Sequence, residues 1–254
     1  IVDDVDSSQQ QPSSSSEGER EDDRVRQRWE CLACWIYFFL LFAVSYAIPW
    51  PVYKRPIPVQ RLGDNLYVRN QAYNEPVRED TVSTTALVLI CGVAPFVVQM
   101  VLSSFGTRSE RRRVLHKDND RHQTLCVYLV AISTNNVATE ALKLYCGSLR
   151  PIFYAICQPD EAYETCTTTD SSELDDARKS FPSGHASQAW NGLFLLTLYL
   201  HQTWGVGGKC RRSIMMARGM SFVAVLPVVL ATWIAASRIR DNQHFAADVV
   251  GGSM

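Results

Sequence analysis

Residues 124–151 read TLCVYLVAISTNNVATEALKLYCGSLRP, an apolar run as far as Tyr145 with Lys143 near its end and Arg150 just beyond it. About 20 mostly apolar residues carry a helix across a hydrocarbon core of about 30 Å, and 124–145 meets that length. Four more segments do the same: 31–48, 82–105, 186–204 and 214–236. A sixth apolar run opens at Phe245 and meets the last residue, Met254, so it reads as a span cut short. The expected fold is therefore all-α, a polytopic membrane helix bundle of six spans with the sixth truncated at the C-terminus. Pro56, Pro58 and Pro76 mark the first connection as non-helical, and Gly205, Gly207 and Gly208 end the fourth span.

The average composition conceals this pattern. Hydrophobic residues are 46% and charged residues 20% of the 254, and the mean hydropathy of −0.09 suits a soluble chain. That average mixes long apolar runs with a head, 1–28, made of Ser, Gln, Asp, Glu and Arg. Such a head buries too little to offset the entropy of ordering, so it reads as a disordered cytoplasmic tail ahead of one membrane domain, 29–254. The chain opens on Ile1, which reads as an N-terminus missing its start. With 25 Lys and Arg against 26 Asp and Glu, it lacks the basic excess that nucleic-acid binding needs.

Lys and Arg in short loops set orientation. Arg24, Arg26 and Arg28, then Arg108, Arg111, Arg112, Arg113, Lys117 and Arg121, then Lys209, Arg211, Arg212 and Arg218 mark alternate loops as cytoplasmic. The third loop, 146–181, carries Asp160, Glu161, Glu164, Asp170, Glu173, Asp175 and Asp176, and belongs on the opposite face. The first loop, with Lys54, Arg55, Arg61, Arg69 and Arg78, is more basic than that face predicts. Cys31, Cys34, Cys91 and Cys126 lie in or beside apolar spans and read as packing residues. Cys157 and Cys166 share the acidic loop, where a disulfide could persist; free and bridged forms are both open.

Three stretches place charged residues where spans meet that same outer face. Lys143 and Arg150 stand seven apart, nearly two helical turns, and on a continuous helix would share a face; snorkelling to the interface is the bland alternative. Phe181 to Ser187 reads FPSGHAS: Pro182 and Ser183 suit a helix start, Gly184 lets backbone N–H groups approach an anion, and His185 follows. A capped helix with an interfacial histidine is the alternative there. In 237–248, SRIRDNQHFAAD, His244 and Asp248 are four apart, so on a helix the carboxylate would hold one imidazole tautomer. Asp248 opens an apolar segment, where an ionisable group needs a partner. Glu140, within a span, is expected to pair with Lys143 at i, i+3.

These stretches match KxxxxxxRP, PSGH and SRxxxxxHxxxD without a mismatch, and the chain from about Cys31 resembles the type 2 phosphatidic acid phosphatases, or lipid phosphate phosphatases. The resemblance implies a metal-independent hydrolase with no cofactor, acting on phosphatidate and related lipid phosphate monoesters. It implies His244 as nucleophile, Asp248 as its orienting carboxylate and His185 as acid. Lys143, Arg150, Arg238, Ser183 and Gly184 would hold the phosphoryl oxygens. The expected partners are the bilayer and a lipid phosphate, with a homo-oligomer left open. The expected setting is the plasma membrane or endoplasmic reticulum, with the site extracellular or lumenal and the N-terminus cytoplasmic. An isoprenyl diphosphate or sugar phosphate phosphatase of the same superfamily is the alternative. A non-catalytic membrane interaction protein or transporter on the same fold is a second.

Overall fold

A computed structural model describes residues 14–47, 51–63, 67–105, 119–204 and 214–254. The basic clusters at 108–117 and 209–212 fall outside the described residues, as do the glycines at 205–208. Helix α1 spans Ser14–Ala47, α2 Thr84–Leu87, α3 Ala94–Phe105, α4 Asn119–Cys146, α5 Phe153–Cys157, α6 Ser171–Asp176, α7 Gly184–Trp204, α8 Ile214–Arg240 and α9 Ala246–Ser253. Val88–Val93 between α2 and α3 is a π-helical turn. The described part of each of the five apolar segments thus falls on helix, apart from Val82 and Ser83 ahead of α2. Among the described residues, three stretches are long and apolar enough to cross a membrane: Thr84–Ser103, Thr124–Cys146 and Gly219–Arg240.

Two expectations need correction. The fold is not wholly helical, because Val59–Arg61 and Tyr67–Arg69 pair as a two-stranded antiparallel sheet, β1 and β2, with Gln60 opposite Val68. And α1 reaches back to Ser14, into the head expected to be unstructured. Composition missed it because Glu, Arg and Gln are strong helix formers even where no core exists. Opposite charges four apart add to this, as in the 3.2 Å pair of Arg26 Nε with Glu30 Oε1.

Helix α7 is the centre of the bundle, packed chiefly on α8 and also on α4, α9 and the α2–α3 unit. Small residues allow the close approach: Ala186 and Ala235 meet Val249 where α7, α8 and α9 converge. A second cluster joins Leu87, Cys91, Ala189, Leu193, Ala231 and Ile234. A Cβ on Gly192 would lie 1.7 Å from the Cys91 carbonyl oxygen, so only glycine admits the π-helical turn against α7. That turn frees carbonyls from the helical ladder, and the Tyr128 hydroxyl donates to that of Gly92.

The polar residues of α4 find partners within the bundle. Thr139 and Asn135 lie 3.0 and 3.4 Å from Ser187 Oγ, and Gln188 donates to Asn136 at 3.4 Å. Outward faces remain apolar, with Phe222 79% exposed beside exposed Leu226, Val229 and Trp233. Hydrocarbon, not water, is the solvent that such a stripe suits.

Above one end of the bundle, the segments 51–63 and 67–83 pack with 147–183 as a cap. Its core joins Ile57, Leu149, Phe153, Tyr154, Cys157 and Ala177. Cys157 and Cys166 are disulfide-bonded, which settles the alternative the sequence left open. Tyr154 donates to the Pro58 carbonyl, Arg178 Nη1 to that of Arg55 at 2.7 Å, and Arg55 Nε to that of Cys146 at 2.8 Å. The basic first loop and the acidic third loop are therefore one structure.

Candidate active site

His244 occupies a tight turn between α8 and α9. Arg238, in the last turn of α8, offers its carbonyl to the amides of Gln243 and His244, and Asn242 takes a left-handed conformation with φ of 58°. The His244 ring is buried, with Nδ1 2.8 Å from the Ser180 carbonyl oxygen. A carbonyl can only accept, so Nδ1 carries the proton and the lone pair sits on Nε2. Burial first, then the positive charges of Arg150 and Arg238, holds the imidazole pKa well below 6.5. The ring is therefore neutral at neutral pH.

The expected direct pairing of Asp248 with His244 is not what forms. Asp248 Oδ2 stands 4.0 Å from Nδ1, beyond hydrogen-bond reach. It accepts instead from the Ser180 hydroxyl at 2.6 Å and the Phe245 amide at 3.0 Å. Helix α9 starts only at Ala246, after Phe245 as N-cap, so His244 is not helical and the two side chains do not stack at i, i+4.

Lys143 and Arg150 do not share a helix face either. Helix α4 ends at Cys146, and Gly147 at φ of 54° turns the chain off the axis, its amide capping the Lys143 carbonyl at 3.1 Å. A Cβ there would lie 1.9 Å from the Tyr53 carbonyl oxygen, so glycine is required for contact as well as conformation. Arg150 is nevertheless aimed at the site: Nη2 pairs with Asp176 Oδ2 at 2.9 Å, and Nη1 donates to Gln243 Oε1 at 2.6 Å. Lys143 Nζ pairs with Glu140 at 2.6 Å, as expected from their spacing, and would lie 3.0 Å from a Cβ on Gly184. The ammonium thus rests at the start of α7, in space that a side chain at 184 would fill.

Ser183 and Gly184 open α7. Ser183 is fully buried, with its amide on the Asp248 carbonyl at 2.9 Å and its carbonyl taking the Ser187 amide at 3.0 Å. Its hydroxyl proton and the amides of Gly184 and His185, which have no intrahelical acceptor, remain for an anion. His185 Nε2 donates to the Val82 carbonyl at 3.2 Å, leaving Nδ1 open. Burial, followed by the nearby Arg238 cation, pushes its pKa down to about 4.

Arg238 is 2% exposed. Its Nη1 lies 3.0 Å from Asp80 and 3.6 Å from Asp241. These ion pairs are poorly aligned, because neither Nη1 nor Nε makes a hydrogen bond. Two buried donors of a permanent cation without acceptors are costly, and an incoming oxyanion would satisfy them.

The second layer was not foreseen from sequence. Asp80, Thr81 and Val82 form one strap: Asp80 holds Arg238, Val82 holds His185, and Thr81 donates from its amide and hydroxyl to Asp241 at 2.8 and 2.6 Å. Asn242 donates to the Pro76 carbonyl and Arg78 to that of Arg240, extending the strap. Ser180, Asp176 and Gln243 complete the layer. All eight residues expected at the site converge: two neutral imidazoles, each with an open nitrogen, lie among three cations and a helix N-terminus. Such a group can bind a tetrahedral oxyanion and transfer it through nitrogen. Among the described residues, no three His, Cys, Asp or Glu side chains gather as a metal site would require.

The family model described as PAP2 superfamily matches residues 124–254. Diacylglycerol pyrophosphate phosphatase 1 of Saccharomyces cerevisiae is 28% identical over 84% of this chain and 73% of its own length. Lipid phosphate phosphatase 2 of Arabidopsis thaliana is 29% identical over 70% of this chain, which spans 59% of that protein. Phospholipid phosphatase 1 of Mus musculus is 26% identical over 84% of this chain and 76% of its own length. No solved structure matches.

Proposed function

Because the chain belongs to the PAP2 superfamily, we propose that it is an integral-membrane lipid phosphate phosphatase working through a phosphohistidine intermediate. Its substrates are phosphatidate and related lipid phosphate monoesters, with diacylglycerol pyrophosphate, named in the yeast relative, as a further candidate. The observation that supports this most is the His244 tautomer: Nδ1–H is spent on the Ser180 carbonyl, so the lone pair lies on Nε2 of a ring that Arg150, Arg238 and Lys143 all act on. In this reading the domain from 29 onward forms a six-span bundle. The cap faces the extracellular or lumenal side, the N-terminus is cytoplasmic, and acyl chains stay in the bilayer while the headgroup enters.

The chemistry divides between the two histidines. His244 Nε2 gives its lone pair to phosphorus; a P–N bond forms as the P–O bond to the lipid alcohol breaks. His185 Nδ1 passes a proton to the departing oxygen. Water then attacks phosphorus, His185 takes its proton, the P–N bond breaks, and inorganic phosphate leaves. Lys143, Arg150 and Arg238, with the start of α7, hold the equatorial oxygens, where charge spreads in the transition state. His185 is neutral in the empty site, so its acidic proton arrives with the phosphate. Either the monoanion donates it, or the dianion offsets Arg238 and Arg150 and raises the imidazole pKa.

The test is phosphate release from phosphatidate, and separately from diacylglycerol pyrophosphate, in mixed micelles containing EDTA. Wild type is expected to release phosphate unaffected by the chelator, with His185→Ala slower by about 10²- to 10⁴-fold on the lipid alkoxide leaving group. The acid limb of the pH profile is expected below pH 6.5, since His244 protonates only well below that value. A folded wild type silent on both lipids, or activity abolished by EDTA, would overturn the reading.

A further inference from the structure

We propose that Ser180 is a positioning residue that links Asp248 to His244, so that the carboxylate acts on the imidazole at one remove. The inference rests on the proposed function and adds a residue to its machinery. Ser180 has no solvent exposure. Its carbonyl accepts the Nδ1 proton at 2.8 Å, while its hydroxyl lies 2.6 Å from Asp248 Oδ2 and 3.4 Å from Nδ1. A carboxylate only accepts, so the hydroxyl proton belongs to Asp248. At 4.0 Å the carboxylate cannot take the Nδ1 proton itself. One residue therefore fixes the tautomer with its backbone and aims the carboxylate with its side chain.

The Ser180 backbone is itself held. Its amide donates to the Ser148 carbonyl at 2.9 Å, and Ser148 lies between Lys143 and Arg150 in the first stretch. Two residues on, Pro182 begins the turn into α7. Ser180 thus ties the phosphate-holding segment and the nucleophile's orienting pair to one peptide. The Asp248 Oδ2 has two donors, this hydroxyl and the Phe245 amide. Deleting the hydroxyl leaves one, frees the carboxylate to swing toward Nδ1, and exposes the imidazole to more of its negative charge. Charged groups that act on His244 from the surrounding elements are Lys143 on α4, Arg150 beyond its end, Arg238 on α8 and Asp248 on α9. Ser180→Ala changes none of these charges, and it keeps the carbonyl.

The experiment follows the His244 ring by 15N NMR across pH in the full chain, for wild type, Ser180→Ala, Asp248→Asn and the double variant, with kcat measured alongside. Wild type should show the Nδ1-protonated tautomer. Ser180→Ala should raise the ring's pKa and lower kcat by about ten- to a hundredfold with KM nearly unchanged, and both effects should vanish in the Asp248→Asn background. An unmoved pKa, or an equal loss of kcat with and without Asp248, would overturn the role and leave Ser180 as packing only. If the wild type has no phosphatase activity, the proposed function fails, while the NMR titration still decides whether Ser180 couples the two groups.

Discussion

His244→Ala is expected to lower kcat on phosphatidate by at least about 10⁴-fold, the scale seen when a covalent nucleophile is removed. The reason is local. His185 cannot substitute, because its Nε2 is tied to the Val82 carbonyl and its remaining nitrogen is the one needed at the leaving oxygen. Binding should survive, since Lys143, Arg150 and Arg238 keep their own anchors in Glu140, Asp176 and Asp80. KM is therefore expected to stay within a few-fold, or to fall, because removing a ring from among the cations opens room for phosphate. Kinetics on purified, folded protein check this. Turnover that persists at a tenth of the wild-type rate would exclude His244 as nucleophile.

Arg238 carries the next largest effect. Arg238→Ala should reduce kcat by about 10²- to 10³-fold, as expected when a preorganised donor to transition-state charge is lost. Arg238→Lys should recover only part, because an ammonium cannot present Nε and Nη1 together. The variant also removes the buried partner of Asp241. That carboxylate retains two bonds from Thr81, so the stability cost should be at the lower end, roughly 3 kcal/mol. Rates must accordingly be normalised to folded protein by a thermal melt. An Ala variant that is folded and fully active would remove Arg238 from the site.

Sequence carried the candidate residues better than their geometry. Lys143, Arg150, Ser183, Gly184, His185, Arg238, His244 and Asp248 stand out in the sequence as three stretches in one order, and it is their joint resemblance to a family signature, more than any one stretch, that singles them out as candidates. Their local geometry was misread wherever a helix was assumed to continue. Gly147 breaks α4 before Arg150, and α9 begins after His244, so neither pair lies on one helical face. A left-handed glycine directly after Lys143-Leu144-Tyr145-Cys146 was a readable stop signal that spacing arguments passed over.

The second layer was hidden for a different reason. Asp80 and Arg238, Thr81 and Asp241, and Ser180 and Asp248 are far apart in sequence, and nothing local marks an Asp or Ser in a loop as one side of such a pair. The small sheet escaped notice because Val59–Arg61 and Tyr67–Arg69 are too short for alternation to register. The disulfide was half legible: compartment suggested it, and only the folded loop brings Cys157 and Cys166 together.

The central claim is a covalent bond between phosphorus and His244 Nε2, and rapid-quench labelling tests it most directly. The full chain in micelles would be mixed with phosphatidate carrying radiolabelled phosphate, stopped in alkali within the first turnover, and its peptides mapped. The account predicts an acid-labile, alkali-stable label on the peptide containing His244, absent from His244→Ala. Wild type that turns over with no protein-bound phosphate, or label that persists in His244→Ala, would contradict it.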